Sequence, residues 1–289
     1  MYKSLMPEFL SVSASLPRAI ALAAQHGFVG VDTSSVHLLA PELDLASVQS
    51  QLVESNVRPG YVGLAPGRIP APDTDWQVAL TSLPEVARRA ALLGYTRAAL
   101  VVLPFHDTLE FEAAFAEMVR TINTVMAVLD DFGIALGLEY ISPRTRRAPY
   151  AHHFIHELRG MQALWAAVDS PHVGLLLDTF HWHCAGETVA DLEALRPEQV
   201  VVVHLNDAPP LPRNEQTVGD RALPGTTGVV DTTGFLGALR TIGYEGPITC
   251  EPMASAIASL SDQSEDAILA QTAAAMIAAL GFGKMSKKA

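Results

Sequence analysis

The chain has 289 residues, 49% hydrophobic and 17% charged, a composition that describes one large soluble domain rather than a disordered segment. A formal charge of −12 argues against a nucleic-acid partner, because phosphate binding needs a basic surface that releases counterions. Cys184 and Cys250 are the only cysteines, too few for a disulfide framework or a cysteine-built zinc site. No stretch has the length of a membrane span, and Pro7 and Glu8 interrupt the apolar opening that a secretory signal requires, so cytoplasm is the expected compartment.

Apolar, β-branched runs recur along the whole chain, each followed by a segment with helical spacing. The first run, near Ser4 to Met6, is the weakest. A helix over 16–26, closed by Gly27, precedes a strand over 28–32. A helix over 45–55 leads to a strand over 57–64, where Pro59 and Gly60 weaken the pattern. The spacing then predicts a helix over 76–93 and a fourth strand over 98–103. A long amphipathic helix over 109–131 follows, then a strand over 134–139, a helix over 154–168 and the strand Val-Gly-Leu-Leu-Leu-Asp over 173–178. The last stretch holds a short helix near 189–195, strands over 200–204 and 247–251, and helices over 233–242 and 267–280. Residues 283–289 read as a flexible, solvated tail beyond a single domain over 1–282.

Eight strand-helix units in this length predict a (β/α)8 TIM barrel, although a doubly wound open sheet gives similar local signals. The ends of the last four strands decide between them. They carry Glu139, Asp178, His204 and Glu251, which converge on one face in a barrel and spread along an edge in an open sheet. Strand alternation places Gly137 and Ala135 inside with Glu139, Leu176 and Gly174 with Asp178, Val202 and Val200 with His204, and Thr249 with Glu251. Cys250 then points outward as a small packing residue.

An acid at the end of an apolar strand costs solvation energy unless something compensates it. Taken singly, such residues more often cap a helix or pair with an arginine. Four in register on consecutive strands point instead to ligation, because three carboxylates in a small space repel and raise one another's pKa until a divalent cation neutralises them. Oxygen-rich ligation with one imidazole suits Mn²⁺, the expected ion, or Mg²⁺, and Co²⁺, Zn²⁺ and Fe²⁺ are also able to bind.

The segments Gly-Leu-Glu139, Leu-Asp178-Thr-Phe-His181, His204-Leu-Asn-Asp207, Arg221-Ala-Leu-Pro224-Gly225 and Cys-Glu251-Pro resemble the sugar phosphate isomerase/epimerase family. These xylose isomerase-like barrels include ketose 3-epimerases, inosose isomerases and dehydratases, and hydroxypyruvate isomerases. The resemblance implies one divalent metal held by Glu139, Asp178, His204 and Glu251, with His181 and Arg221 binding substrate hydroxyls. It further implies that Glu139 and Glu251 exchange protons with the carbon beside the substrate carbonyl, through a cis-enediolate that the cation stabilises. A small sugar or polyol-derived molecule is the implied substrate, and a homodimer is compatible with the family. Where many relatives have Pro-Gly-Glu-Gly, this chain has Pro224-Gly225-Thr226-Thr227-Gly228, one residue longer and without the acid.

His106, after the fourth strand, is a further candidate to line the substrate pocket, with a polar rim role as its alternative. Arg144, Arg146 and Arg147 offer guanidinium forks for an anion or form a solvated basic loop. Trp182 and Phe105 supply an apolar wall or pack a loop. His152, His153, His156, His172 and His183 share no spacing that suggests a site. Three functions compete with isomerisation. The same metal and base would make a dehydratase of an inosose or dehydroshikimate-like substrate. A non-catalytic metal-binding barrel would keep the ligands without chemistry. An abasic-site endonuclease is disfavoured, since the third strand ends in Gly63-Leu-Ala65 where a histidine ligand would be needed.

Overall fold

The computed structural model describes residues 1–253 and 262–281, so the tail expected at 283–289 lies outside the described residues. Eight parallel strands close a barrel: β1 Tyr2–Leu5, β2 Gly30–Ser34, β3 Arg58–Ile69, β4 Arg97–Val102, β5 Ala135–Tyr140, β6 Val173–Asp178, β7 Val200–His204 and β8 Pro247–Thr249. Closure comes from β1, which pairs with β8 through Tyr2 opposite Pro247 and with β2 through Ser4 opposite Gly30. Helices such as Leu16–Gln25, Phe111–Leu129 and Thr232–Thr241 lie outside the strands and turn their apolar stripes toward them. Among the described residues, no helix is long and apolar enough to cross a membrane.

The strands divide their side chains between two cores, as a closed barrel requires. Leu136, Leu138, Leu175, Leu177, Val203 and Cys250 belong to the large outer core under the helices. Met6, Tyr61, Ala99, Leu176, Val201 and Val202 fill the smaller interior. One expectation is corrected here. Between β6 and β7 the register skips, with Leu175 opposite Val200 and Leu176 opposite Val202. The extra residue, Val201, joins Val202 inside, and Val200 packs in the outer core instead of the interior.

Other boundaries move in ways that bear on the barrel mouth. Strand β3 runs on to Ile69, past an irregular stretch between Gly63 and Arg68. Phe105–His106 and His152–His153 form a short antiparallel pair outside the barrel. A helix over Thr179–Ala185 follows β6 directly, because Asp178 caps it by accepting from the backbone N–H groups of Phe180 and His181.

Inside the barrel, Gly60 is required by its neighbours. A Cβ there would stand 1.9 Å from Asp32 Oδ1 and 2.5 Å from Ser4 Oγ. Gly60→Ala is therefore expected to lower stability by about 1–3 kcal/mol. Gly237→Ala, in a helix with nothing within 4 Å of the new carbon, is expected to raise stability by up to about 1 kcal/mol. Urea unfolding midpoints of the two variants, shifting in opposite directions, check both statements.

Candidate metal centre and active site

The barrel brings Glu139, Asp178, His204 and Glu251 to one point, with one ligand atom from each lying within 4.8 Å of all the others. Glu139 is the penultimate residue of β5, Asp178 and His204 end β6 and β7, and Glu251 stands just past β8. All face the C-terminal end of the barrel, where parallel strands present their last side chains. Glu139, Asp178 and His204 are buried, and Glu251 is nearly so.

Neighbouring groups orient three of the four. Asp178 spends Oδ1 on the helix cap, accepting from Phe180 N at 2.6 Å and His181 N at 3.3 Å. That leaves Oδ2 to accept from Asn206 Nδ2 at 2.9 Å and from Arg221 Nη1 at 3.1 Å. Glu251 Oε2 accepts from the same Arg221 Nη1 and meets His204 Nδ1 at 3.1 Å. The other ring nitrogen of His204 meets the Tyr61 hydroxyl at 3.0 Å. Glu139 Oε1 is different: it is buried and has no hydrogen-bond partner among the described residues.

The electrostatics follow from burial and neighbours. Desolvation, and then the Glu251 charge, push the Glu139 carboxyl well up. Burial works against ionising Glu251 too, but Arg221 and His204 override it and hold that carboxyl low. Burial disfavours a charged His204, yet Glu251, Glu139 and Asp178 raise it to about 9. Burial and the adjacent Arg221 keep His181 well below its ordinary range. A protonated imidazole and a guanidinium thus offset the carboxylates in the metal-free protein. When His204 is neutral, three carboxylates face one guanidinium, a deficit of positive charge that a divalent cation makes good. The orphaned Glu139 oxygen and the oxygen-rich donor set both fit such an ion.

His181 and Arg221 join this cluster. Arg221 Nη2 lies 2.9 Å from His181 Nε2, and since a guanidinium only donates, the imidazole accepts. His181 Nε2 is also 3.7 Å from Glu139 Oε1. His106 stands apart. Its Nδ1 accepts from Thr108 N and Leu109 N, its Nε2 is 3.6 Å from Glu117, and it lines a separate cavity. Arg146 lies over the Phe105 ring, which stacks on Tyr150, while Arg147 donates to the carbonyl of Ser142. Trp182 packs edge-on against Phe235.

Several contributors received no role from the sequence. Asn206 accepts from the backbone of Glu251 through Oδ1 while its Nδ2 donates to Asp178, so it spaces two ligands. Asp207 accepts from four backbone N–H groups, those of Ala208, Thr227, Gly228 and Val230, and so ties down the loop that follows Arg221. Thr227, from the stretch that departs from the common loop, adds a hydroxyl donated to Ala208 O. Tyr61 and Asp32 come from the first half of the barrel. Asp32, an acid in the second strand, carries the same signal as the four ligands, but it faces the interior beneath them, where Ser4, Thr249 and Tyr61 N donate to it.

Glu139, His204 and Glu251 open onto a cavity of about 530 Å³. A closed parallel barrel with a buried Glu-Asp-His-Glu cluster at its mouth defines the class: an α/β barrel with a candidate metal site. The chain belongs to the xylose isomerase-like TIM barrel family, whose model matches residues 20–278. It is 25% identical over 133 residues to an inosose isomerase of Halalkalibacterium halodurans, an alignment spanning 46% of this chain and 44% of that one. The chain thus aligns with just under half the length of that curated relative. A xylose isomerase domain protein from Alicyclobacillus acidocaldarius shares the fold at a TM-score of 0.84 with 27% identity, over 98% of this chain and 99% of that one. The IolI protein, solved with a bound zinc atom, matches at a TM-score of 0.80 with 16% identity, over 98% and 99%.

Burial pushes the Asp32 carboxyl from 3.8 up to about 6, against the pull of its hydrogen bonds from Thr249, Ser4 and Tyr61. A raised carboxyl contributes stability that is complete below its unfolded value and lost as pH rises through the folded one. Asp32→Asn keeps an acceptor and removes the titration. Its stability relative to the parent protein should therefore climb by roughly 2–3 kcal/mol between pH 4 and pH 7. Urea unfolding at a series of pH values measures it, and a flat difference would refute the assignment.

Proposed function

We propose that the protein is a divalent-metal-dependent isomerase or epimerase acting on a small ketose, keto-sugar or inosose, with Mn²⁺ as its resident ion. The observation that carries this reading is the pair of glutamates at the cavity floor: Glu139, buried with a free oxygen, and Glu251, gripped by Arg221 and His204. The matched inosose isomerase supports the reaction class, and the zinc atom in a protein of the same fold supports a divalent ion.

Glu139, Asp178, His204 and Glu251 would hold the cation, which supplies Lewis-acid polarisation of the substrate carbonyl and its neighbouring hydroxyl. The chain's own groups do the rest. One glutamate takes the proton from the carbon beside the carbonyl, and the other returns a proton at the opposite face or at the adjacent carbon. Glu139 suits the first transfer, since no donor among the described residues competes for its Oε1. Arg221 and His181, adjoining the cluster, steady substrate hydroxyls and hold the Glu251 carboxylate in place. The apolar barrel interior beneath, including Leu176 and Val202, keeps bulk water from the reacting atoms.

Purified protein should carry one divalent cation per chain by elemental analysis, with Mn²⁺ giving the highest activity on reconstitution. In D₂O the loaded enzyme should exchange solvent deuterium into a responsive ketose, and Glu139→Gln or Glu251→Gln should slow that exchange at least ~100-fold. Retained exchange in both variants would end the glutamate mechanism, and loss of water in place of exchange would make the enzyme a lyase.

Tyr61 enters through the tautomer of His204. With Nδ1 giving its lone pair to a cation among the carboxylates, Nε2 would carry the single ring proton and need an acceptor, which the Tyr61 oxygen provides. Tyr61→Phe is expected to weaken cation affinity about 10–100-fold in metal-buffered titrations. Unchanged affinity would show that the phenol does not fix the ligand.

A further inference from the structure

Apart from His204, the ionisable side chains that line the cavity at the ligand cluster are acidic or, like Tyr61, neutral. Glu139 and Glu251 belong to the cluster, and Glu8 stands at the rim, on the 3-10 helix Pro7–Leu10 that follows β1. Among the described residues, no lysine or arginine lines this cavity. The nearby arginines are committed elsewhere. Arg68 and Arg146 line the separate cavity beside His106, and Arg147 donates to the carbonyl of Ser142. Arg221 is buried, with its two Nη groups on Asp178, Glu251 and His181.

Glu8 is held in place yet keeps capacity for a ligand. His37 Nε2 lies 3.3 Å from its Oε1, while the side chain is 39% exposed and Oε2 accepts no hydrogen bond among the described residues. Two hydroxyls on the same cavity wall are also incompletely used. Ser34 Oγ accepts from His37 N at 3.5 Å and has its own proton to give; Ser35 Oγ donates to Gly63 O and accepts from Ala65 N, which leaves it a lone pair. A carboxylate that accepts and a hydroxyl that donates together suit sugar hydroxyls, which do both. The same carboxylate repels a phosphoryl group, which carries about −1.5 to −2 charge at pH 7 and calls for guanidinium or ammonium partners. We propose that Glu8 is a specificity-determining residue: it accepts a hydroxyl from the part of the substrate outside the ligand cluster and excludes phosphorylated substrates, so that the protein acts on a free, uncharged polyhydroxy ketone. This rests on the isomerase reading for the carbonyl at the cluster, whereas the charge of the lining is independent of the chemistry.

The probes are D-fructose, D-tagatose and D-psicose, each against its 6-phosphate. With the Mn²⁺-loaded full-length protein, calorimetry gives Kd and solvent deuterium exchange gives kcat/KM for each. At least one free sugar should bind about 10–100-fold more tightly than its phosphate at low ionic strength, and the ratio should shrink as salt is raised to about 0.5 M. Glu8→Gln should weaken the free sugar about 3–10-fold and narrow the ratio, with metal content unchanged. Glu8→Lys should reverse the preference in favour of the phosphate. A parent protein that binds a free sugar and its phosphate alike, a preference that survives Glu8→Lys, or failure of all three free sugars to bind overturns the inference. Discrimination by charge without deuterium exchange into any sugar would overturn the isomerase reading and leave the role of Glu8 standing.

Discussion

Three carboxylates buried within reach of one another are the constraint on which the barrel mouth depends. Isolated carboxylates at such depth would protonate or open the structure, since burial and mutual repulsion both oppose ionisation. The protein answers with positive charge near all three acids but with hydrogen bonds to only two of them. Arg221 bridges Asp178 and Glu251, and His204 faces all three acids through the same ring nitrogen. Glu139 receives neither a guanidinium nor a backbone donor at Oε1. The unmatched oxygen and the nearby deficit of positive charge meet at one point, where an ion from outside the chain would compensate both.

The supports of that cluster are close together in sequence. His204, Asn206 and Asp207 lie within four positions at the end of β7 and divide the work among them. His204 belongs to the candidate metal cluster, Asn206 bridges Asp178 and Glu251, and Asp207 anchors the loop carrying Arg221. Because Asp207 is satisfied by backbone N–H groups, the loop after Arg221 is held by its path and not by the identity of its side chains. This explains how the stretch Pro224-Gly225-Thr226-Thr227-Gly228 replaces an acid without freeing the loop. Thr226 and Thr227 turn their hydroxyls to Leu223 O and Ala208 O, so the longer segment closes on itself.

The barrel and the gathering of four strand-end residues at its mouth were legible because they rest on strong, local regularities. Continuous apolar strands ending in Glu139, Asp178 and His204 announce both the parallel sheet and the face where it is used. What escaped depends on the third dimension. The skip at Val201 leaves no mark in a run of four identical valines, and only pairing with β6 reveals it. The helix starting at Thr179 contains two histidines, a tryptophan and a cysteine, weak helix formers that need the Asp178 cap and tertiary packing. Tyr61 sits in a strand interrupted by Pro59 and Gly60, where its link to His204, 143 positions away, has no local correlate. His106 looked like a pocket residue by its place after β4, yet its ring turns back to cap its own loop at Thr108 and Leu109.

The two halves of the barrel divide the mouth between them. Strands β5 to β8 supply the charged cluster, together with Arg221 and His181. The first four strands and the loops after them supply most of the wall: Met6 and Phe9, Ser34 and Ser35, Tyr61 and Leu64, Ala99 and Val101. Asp32 is the acid of that first half, and it is turned inward, away from the cavity wall, by three donors and the gap at Gly60. The acidic cluster and most of the cavity wall therefore come from different strands, with Glu8 at the rim adding a carboxylate to the wall side.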